Sequence, residues 1–377
     1  NEMKKIIAGS CCLFLAAFLL MSLLESPPQP SIKVGYIGPL TGRNADLGIA
    51  GRNAAESAIK EQNRAGGIQG RQVELLVEDD QSNEDVARQA LQGFIDANVV
   101  AVIGHTTSRI LGELTPMTNS SRLVMLNSFS SMDRLYGQND YLINFNLSAS
   151  TSASALVSHV LENPEIQTLS VLLDVRNSSL TANWLNVFRK EYEFQGRQVE
   201  AVVPFFSGGA DSFLKLANKV ASGNPDAVLV LANGLDTAMF VQQFHKIDFA
   251  PALFAAPWSS TGDLLHYGGL AVEGVTTVLN RDVRSRDPFC QAFQKQYTED
   301  YGMPPTYATG MAYDATRYLL AGLKQNSSQQ DLRETLLAME GFVGLQSLLT
   351  LDEFGDVRRP QFITTIRNRR FERWDEI

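Results

Sequence analysis

The chain has 377 residues, of which 44% are hydrophobic and 19% charged, and this composition is typical of a globular protein long enough for two domains. Its formal net charge at pH 7 is -9, and an acidic body of this kind argues against binding to nucleic acid. The arginine-rich stretch RRPQFITTIRNRRFERW near the C-terminus is the one basic exception. We interpret it as the solvated rim of a hairpin rather than as a phosphate-binding patch.

The N-terminal segment carries an export pattern. Lys4 and Lys5 precede a run without charged residues, Ile6 to Leu24, and the sequence ESPPQP then breaks any helix. A cleaved secretory signal usually has an apolar core of about 7–15 residues, whereas about 18 residues can span a bilayer. We therefore predict that residues 1–30 are a signal peptide or an uncleaved membrane anchor, and that the rest of the chain is periplasmic or otherwise extracytoplasmic.

Cysteine usage agrees with export and requires no disulfide. Cys11 and Cys12 lie in the apolar segment, which leaves Cys290 alone in the folded body. Because a single cysteine cannot form an intrachain bridge, we expect Cys290 to be a small buried hydrophobic side chain.

From Ser31 onwards, apolar strand-like runs alternate with helical stretches. Strands that alternate with helices in this way predict βαβ units and an α/β fold, in which parallel sheets are covered by helices on both faces. The first predicted series is strand 32–40, helix 45–64, strand 71–80, helix 83–97, strand 99–103, helix 110–120 and strand 123–126. The second is helix 153–161, strand 169–173, helix 182–194, strand 198–205, helix 212–221, strand 227–231, helix 235–245 and strand 252–254. Helices at 288–301, 307–323 and 331–339 and a strand-like DEFGDVRR complete the chain.

Hydroxyl side chains cluster after two neighbouring strands of the first series. The sequence AVIGHTTSRI places His105, Thr107 and Ser108 directly after one strand, and LNSFSS places Ser131 after the next. In open α/β sheets, ligands bind outside the carboxyl ends of the strands, where N–H groups at helix starts are free. Two such turns suit a carboxylate, but Ser and Thr also cap helices routinely. The spacing alone leaves both interpretations open.

Four sequence blocks together resemble the type I periplasmic binding proteins, in the branch that binds leucine, isoleucine and valine for ABC importers. They are IKVGYIGPLTG, AGGIQGRQVELLVEDDQSN, VVAVIGHTTS and ATGMAYDATRYLLAGL, in order over about residues 32–377. The resemblance implies two Rossmann-like lobes joined by three hinge strands, which close on a ligand in the cleft between them. It places lobe 1 at residues 32–147 and 280–348, and lobe 2 at residues 148–279 and 349–377.

The resemblance also implies ligand-binding positions in lobe 1. The hydroxyl that meets the ligand's carboxylate in the family falls on Ser108, in the same turn as Thr107. A second hydroxyl position falls on Ser131, and a main-chain contact falls near Phe129. The resemblance therefore favours ligand binding over capping for the two hydroxyl turns.

Other family positions carry different residue types in this chain. An aromatic position after GPLTG falls on Leu47, and two lobe 2 tyrosine positions fall on Ser178 and near Asn233. The acidic position that neutralises the ligand's ammonium falls at about Trp258, which can donate a hydrogen bond but cannot accept one. These departures put an amino acid ligand in question.

A buried ammonium without a carboxylate partner would be costly. Two alternatives follow from Trp258: another acid, such as Asp174, Asp236 or Asp263, holds the ammonium, or the ligand has no amine. Trp258 would pack against a flat or aliphatic ligand body, or it is simply a core side chain at a strand end.

Catalytic motifs do not stand out in the sequence. GHTTSRI is not a Gly-x-Ser-x-Gly elbow, and the four histidines form neither a His-Glu-x-x-His motif nor a close metal-binding pair. Asp314 in AYDATRY lies within a predicted helix, where we expect a structural hydrogen bond. We therefore predict no catalysis, no metal and no cofactor.

Two functional classes fit the same cleft. The first is a monomeric carrier that takes an amino acid, a small carboxylate or an amide to an ABC permease. The second is the sensor domain of a membrane-anchored receptor, which would require a retained anchor and a continuation past Ile377. The range of proteins in the resembled family favours the carrier over the sensor. A hydrolase is a more distant third alternative.

Overall fold

The structure is a computed structural model of the chain, and it describes residues 29–105, 107–326 and 328–374. The predicted signal peptide or anchor at residues 1–30 lies outside the described residues, except for its last two positions. Within the described ranges, no helix combines the length and the apolar character needed to cross a bilayer. The predicted α/β class is confirmed, with two mainly parallel sheets that each form the centre of one lobe.

The first lobe is built on a sheet of parallel strands. Its elements, in chain order, are β1 (Ile32–Gly38), α1 (Ala45–Arg64), β2 (Val73–Asp79), α2 (Glu84–Asp96), β3 (Ala101–Ile103), α3 (Ser108–Ser121), β4 (Val124–Asn127) and β5 (Leu142–Asn144). The spatial order is β2-β1-β3-β4-β5, and every neighbouring pair is parallel. The central strands read as unbroken apolar runs because helices cover both faces of the sheet.

The second lobe repeats this layered arrangement. Its elements are α4 (Ala149–Glu162), β6 (Thr168–Asp174), α5 (Ser178–Phe194), β7 (Gln198–Phe205), α6 (Phe213–Ala221), β8 (Ala227–Leu231), α7 (Gly234–Lys246), β9 (Ala252–Ala255), α8 (Gly262–Gly268) and β10 (Thr276–Leu279). The first-lobe segment that follows contains α9 (Pro288–Tyr301), α10 (Tyr307–Gln325), α11 (Leu332–Leu337), β11 (Phe342–Val343), β12 (Leu348–Leu351) and β13 (Val357–Arg358). The chain then adds β14 (Phe362–Arg367) and β15 (Arg370–Arg373) to the second sheet, giving the order β15-β14-β10-β9-β8-β6-β7.

The described chain passes between the lobes after β5, after β10 and after β13. Strands β11, β12 and β13 form a small separate sheet, from which Leu349 and Val357 pack into the same core as β1 and α1. The predicted boundary at residue 348 is therefore too early. The chain returns to the second lobe only at Phe362, because the small sheet first covers the core of the first lobe.

Helix α10 is the central packing element of the first lobe. Its side chains are buried on most sides, which is typical of a helix inside a large core. Tyr313 packs with a ring-centroid distance of 4.1 Å against Phe293 of α9, and its hydroxyl donates to Glu61 of α1 at 2.5 Å. Residues far apart in sequence therefore share one core.

The start of α4 differs from the sequence prediction. The helix begins at Ala149 rather than at Ala153, although its first turn consists of small hydroxyl residues. The Ser148 side chain accepts a hydrogen bond from the backbone N–H of Thr151, and this cap stabilises the first turn.

The arginine-rich C-terminal stretch forms the predicted hairpin. Strands β14 and β15 pair antiparallel, and the turn residues Asn368 and Arg369 adopt positive φ angles of 49° and 58°. One member of the stretch departs from the prediction of a solvated rim: the side chain of Arg359 is only 5% exposed.

Candidate functional site

A cavity of about 310 Å³ lies between the two lobes, at the carboxyl ends of strands from both sheets. This volume lies in the range of pockets that hold small organic molecules. The predicted residues that line it are Leu47, Thr107, Phe129, Ser131, Asn233 and Trp258. Ser108 and Ser178 do not line it, and the binding roles assigned to all eight residues remain predictions.

The start of α3 forms part of the first-lobe wall. His105 is fully buried, its Nδ1 accepts the N–H of Thr107 at 2.9 Å, and its Nε2 lies 2.6 Å from Asp80 Oδ2. Because Nδ1 is an acceptor, Nε2 carries the proton and donates to Asp80. Thr107 occupies the N-cap position without a capping side-chain hydrogen bond. The histidine of AVIGHTTSRI therefore positions the helix start, and Thr107 faces the cavity instead of capping.

The second hydroxyl turn is shaped from within by Asn127. Its Oδ1 accepts the backbone N–H groups of Phe129 at 3.1 Å and Ser130 at 2.8 Å. The Ser130 hydroxyl donates to Ser108 Oγ at 2.7 Å, which ties this turn to the start of α3. Ser131 therefore lines the cavity from a fixed turn. A main-chain ligand contact was predicted near Phe129, and in this structure the N–H of Phe129 donates to Asn127.

Asn146 joins three parts of the cavity wall. Its Nδ2 donates to the carbonyl oxygen of Phe129 at 2.6 Å. Its Oδ1 accepts from the Tyr307 hydroxyl at 2.9 Å and from Asn280 Nδ2 at 3.1 Å. One buried amide thus connects the first-lobe turn to α10 and to the hinge segment after β10.

The second-lobe wall combines a helix cap with an aromatic side chain. Asn233 is the N-cap of α7, where its Oδ1 accepts the N–H of Asp236 at 2.8 Å and its Nδ2 donates to Ser207 Oγ at 3.0 Å. Trp258 lies in a short 3-10 helix after β9 and packs edge-on against Trp184, with a ring-centroid distance of 6.4 Å. Both side chains are therefore part of the lobe's own packing and of the cavity wall.

The three acids considered from the sequence lie in different environments. Asp174 lines the cavity, and its Oδ1 accepts two backbone N–H groups, at 3.0 and 3.1 Å. Burial raises the pKa of the Asp174 carboxyl above its usual range. Asp236 is fully buried and forms an ion pair with Arg43, and Asp263 lies outside the cavity lining. Of the three, Asp174 alone is placed to meet a ligand.

The lobes contact each other directly through polar side chains. Arg43 of the first lobe lies with Nη1 2.6 Å from Oδ1 of Asp236 in the second lobe. Asp133 of the first lobe accepts a hydrogen bond at 2.6 Å from Nδ2 of Asn183 in α5. The structure therefore shows a closed arrangement in which charged groups of one lobe are satisfied by the other.

Asp46 at the start of α1 is a third contact between the lobes. Burial raises the pKa of Asp46 to about 6, a value that the neighbouring Thr261 side chain of the second lobe lowers and the charge of Asp263 raises. Because two of these groups belong to the opposite lobe, the protonation of Asp46 is coupled to the closed arrangement.

Several residues of the site were missed by sequence reasoning. The cavity is also lined by Arg43, Asn146, Arg176 and Tyr307. Each of them lies beside a sequence motif, but none falls on a ligand-binding position that the family resemblance identified. The sequence did carry a signal for two of them. Arg43 follows the end of a strand in the first lobe, and Arg176 follows the end of a strand in the second. Asn146 and Tyr307 carried no such signal, because their meeting depends on residues 161 positions apart.

Comparison with known proteins identifies the class. The sequence profile of the periplasmic binding protein family matches residues 31–369. Because this match covers most of the chain, the protein belongs to the periplasmic binding protein family, as the sequence blocks predicted.

The relatives are distant but cover nearly the full length. The Leu/Ile/Val-binding protein of Escherichia coli is 23% identical over 367 residues, which are 95% of this chain and 95% of that protein. The structure of LivJ from Streptococcus pneumoniae in complex with isoleucine superposes with a TM-score of 0.85 at 19% identity, covering 91% of this chain and 99% of that one. A solute-binding protein of an ABC transporter from R. palustris in complex with benzoate gives a TM-score of 0.83 at 17% identity, covering 91% and 95%.

Proposed function

We propose that the protein is an extracytoplasmic solute-binding protein that captures a small carboxylate without an ammonium group and delivers it to an ABC importer. The observation that carries this proposal is the charge of the cavity wall. Its charged lining residues within the described chain are Arg43, Arg109, Arg176 and Asp174. Arg43 is paired with Asp236 and Arg109 with Glu84, but Asp174 is the one acid among these lining residues, and a wall so poor in acid favours an anionic ligand over a zwitterionic one.

The carboxylate is held by the first lobe in this proposal. The first backbone N–H groups of a helix have no partner within the helix, and the helix dipole makes this end attractive to anions. Helix α3 presents such an end beside Thr107 and Arg109, and Ser131 supplies a hydroxyl from the next turn. Ser108 supports this surface through its hydrogen bond with Ser130.

The lack of a suitable acid argues against an amino acid. The family resemblance places the acid of the branched-chain amino acid binders at about Trp258, and Asp174 is the one carboxylate among the described lining residues. Its Oδ1 is already bound by two N–H groups, the nearby Arg176 competes for its charge, and burial raises its pKa. An ammonium would therefore find weak compensation for the water that it loses on binding.

The body of the ligand packs against apolar side chains from both lobes. Leu47 and Phe129 face it from the first lobe, and Leu180 and Trp258 face it from the second. An aromatic or branched aliphatic carboxylate matches these walls. The benzoate complex of the R. palustris relative supports the compatibility of this fold with such ligands.

The decisive experiment compares ligands that differ only in the ammonium group. We would measure binding by calorimetry for leucine against 4-methylpentanoate, and for phenylalanine against 3-phenylpropanoate, with benzoate added as an aromatic acid. We expect the amine-free member of each pair to bind more tightly, by about tenfold or more, because the amino acid must bury an ammonium without a dedicated carboxylate.

A Ser131→Ala variant tests whether binding takes place in the cleft, and the exposed Ser120→Ala is its matched control. Tighter binding of the amino acid in both pairs would contradict the proposed ligand class and would show that Asp174 holds the ammonium. Saturable binding of none of the five compounds would contradict the proposal of a small carboxylate ligand.

A further inference from the structure

A second cavity of about 150 Å³ lies behind the first, between the hinge segments and α10. Its charged lining residues in the described chain are Arg281, Asp282, Asp314 and Arg359, and the thiol of Cys290 also faces it. Cys290 is buried, as the sequence predicted. The space is about tenfold larger than the roughly 10–15 Å³ that a single water requires.

Arg359 presents an unused hydrogen-bonding edge in this cavity. The side chain is only 5% exposed, yet its Nε and Nη2 find no hydrogen-bond partner among the described residues. Its nearest carboxylate oxygen, Asp314 Oδ2, lies 3.7 Å from Nη2, which is beyond hydrogen-bond distance. Nε and Nη2 form one edge of the guanidinium, and this edge binds two oxygens of an oxyanion in parallel.

A second buried arginine lies in the same wall. Arg281 donates from Nη2 to the carbonyl oxygen of Pro305 at 3.4 Å, a long contact, and its buried Nε has no partner among the described residues. Burial lowers the pKa of both Arg281 and Arg359, because neither charge is fully compensated by its surroundings. Two guanidinium groups with spare donors thus face one enclosed space.

The acids of the cavity leave these donors unsatisfied. Asp282 lies 3.3 Å from Nη1 of Arg373, and its Oδ1 accepts the N–H of Arg284 at 2.9 Å. Asp314 Oδ1 accepts the N–H of Leu345 at 2.8 Å, and burial raises the pKa of its carboxyl. Although Asp314 lies within ion-pair distance of Arg359, neither carboxylate accepts a hydrogen bond from Nε or Nη2 of Arg359 or from Nε of Arg281, so these buried donors remain available.

We propose that this second cavity binds a small oxyanion, such as inorganic phosphate, through the free edge of Arg359 and the Nε of Arg281. Water can accept hydrogen bonds from these donors but cannot neutralise their charge, whereas an oxyanion does both. The inference concerns a site separate from the main cleft and holds whichever ligand the cleft takes.

The two cavities share part of their walls. Asn280 and Tyr307 line both of them, and both side chains are hydrogen-bonded to Asn146. Because the hinge segments on which Asn280 and Arg359 lie connect the two lobes, an anion here would stiffen the region about which the lobes close.

The test uses inorganic phosphate as the probe and the full chain as the protein. Phosphate is titrated while the ionic strength is held constant with gluconate, and the melting temperature is recorded. We expect a saturable rise of about 2–4 °C, since a ligand that binds only the native state raises its stability. Calorimetry should give a single phosphate site per chain.

The variants separate this site from general salt effects. Arg359→Gln should abolish the rise, and Arg359→Gln/Asp314→Asn provides a charge-balanced version if the single variant does not fold. Arg64→Gln, an exposed arginine outside the cavity, is the matched control and should behave as the wild type.

Ser108→Ala/Ser131→Ala shows whether phosphate binds in the main cleft instead. A phosphate effect that disappears in this variant but persists in the Arg359 variants would overturn the proposal. So would an equal effect of chloride, which does not use the bidentate edge, or the absence of any saturable phosphate effect.

Discussion

The two walls of the cleft differ in how they are built. The first-lobe wall consists of hydroxyl turns at neighbouring strand ends, held by local hydrogen bonds from His105 and Asn127. The second-lobe wall consists of residues that also cap or pack their own lobe, such as Asn233 and Trp258, and its Asp236 is satisfied by an arginine from the opposite lobe. We therefore expect the first wall to bind a common chemical group and the second wall to determine which ligand closes the cleft.

The largest effect is expected at the first wall. Ser108→Ala/Ser131→Ala should weaken carboxylate binding by about 100-fold, because Ser131 loses a hydrogen bond to a charged group, worth about 1.5–3 kcal/mol, and the turn that carries Ser131 loses its tie to Ser108. Calorimetry with the best amine-free ligand measures the loss. The melting temperature of the ligand-free variant should fall below that of Ser120→Ala, because the buried Ser130 hydroxyl loses its acceptor, and unchanged affinity would show that the first wall does not hold the ligand.

The ion pair between the lobes should have the next largest effect. Arg43→Gln leaves the buried Asp236 carboxylate without its cation in the closed arrangement, so we expect binding to weaken by about 20-fold. Small-angle X-ray scattering should show a larger radius of gyration for the ligand-bound variant than for the wild type.

The control for Arg43 is Arg189→Gln, which removes an ion pair within the single helix α5. It should leave both affinity and radius of gyration unchanged. Equal behaviour of the two variants would show that the Arg43 contact contributes nothing to closure.

Trp258 tests whether the second wall determines the ligand class. Trp258→Glu places a carboxylate at about the position that the family resemblance predicts for the acid of the branched-chain binders, and we expect the preference within each matched ligand pair to shift about tenfold towards the amino acid. The uncharged Trp258→Gln has a similar length and should produce no such shift. An identical result for the two variants would rule out charge as the cause.

The smallest effect is a dependence on pH. The pKa of Asp46 is raised to about 6 in the closed arrangement, so the closed form binds a proton more readily than an open form with the usual value. Closure is therefore favoured as the pH falls through about 6, and affinity should rise about fourfold between about pH 7.5 and about pH 5.5. Titration calorimetry at the two pH values measures this rise, and Asp46→Asn should remove it; a rise that persists in the variant would assign it to another group.

The first wall was largely accessible from the sequence. Thr107 and Ser131 follow strands whose apolar runs are easily recognised, and parallel strands bring their carboxyl ends to one edge of a sheet. The alternation of strands and helices predicted the α/β class for the same reason, since short-range periodicity is visible in a single chain.

The other features of the fold and of the cleft depend on contacts between residues that are distant in sequence. Arg43 and Asp236 are 193 positions apart, and nothing in the sequence around either residue indicates the other. Arg359 belongs to an arginine-rich stretch that reads as solvated, and only the packing of α10 and the small sheet buries its side chain. The boundary at residue 348 was misplaced for the same reason, because β12 and β13 carry too few residues to identify the lobe that they cover.

The pairing of α1 with α10 has a consequence for the order in which the chain folds. The first lobe cannot complete its core until Tyr313 is available to meet Glu61, 252 positions earlier. The parallel strands β6 to β9 of the second lobe, in contrast, are connected by short crossovers. Since closing long loops costs entropy before contacts compensate for it, we expect the second lobe to form first. During synthesis, the core that covers the N-terminal sheet would thus remain incomplete until most of the chain has emerged.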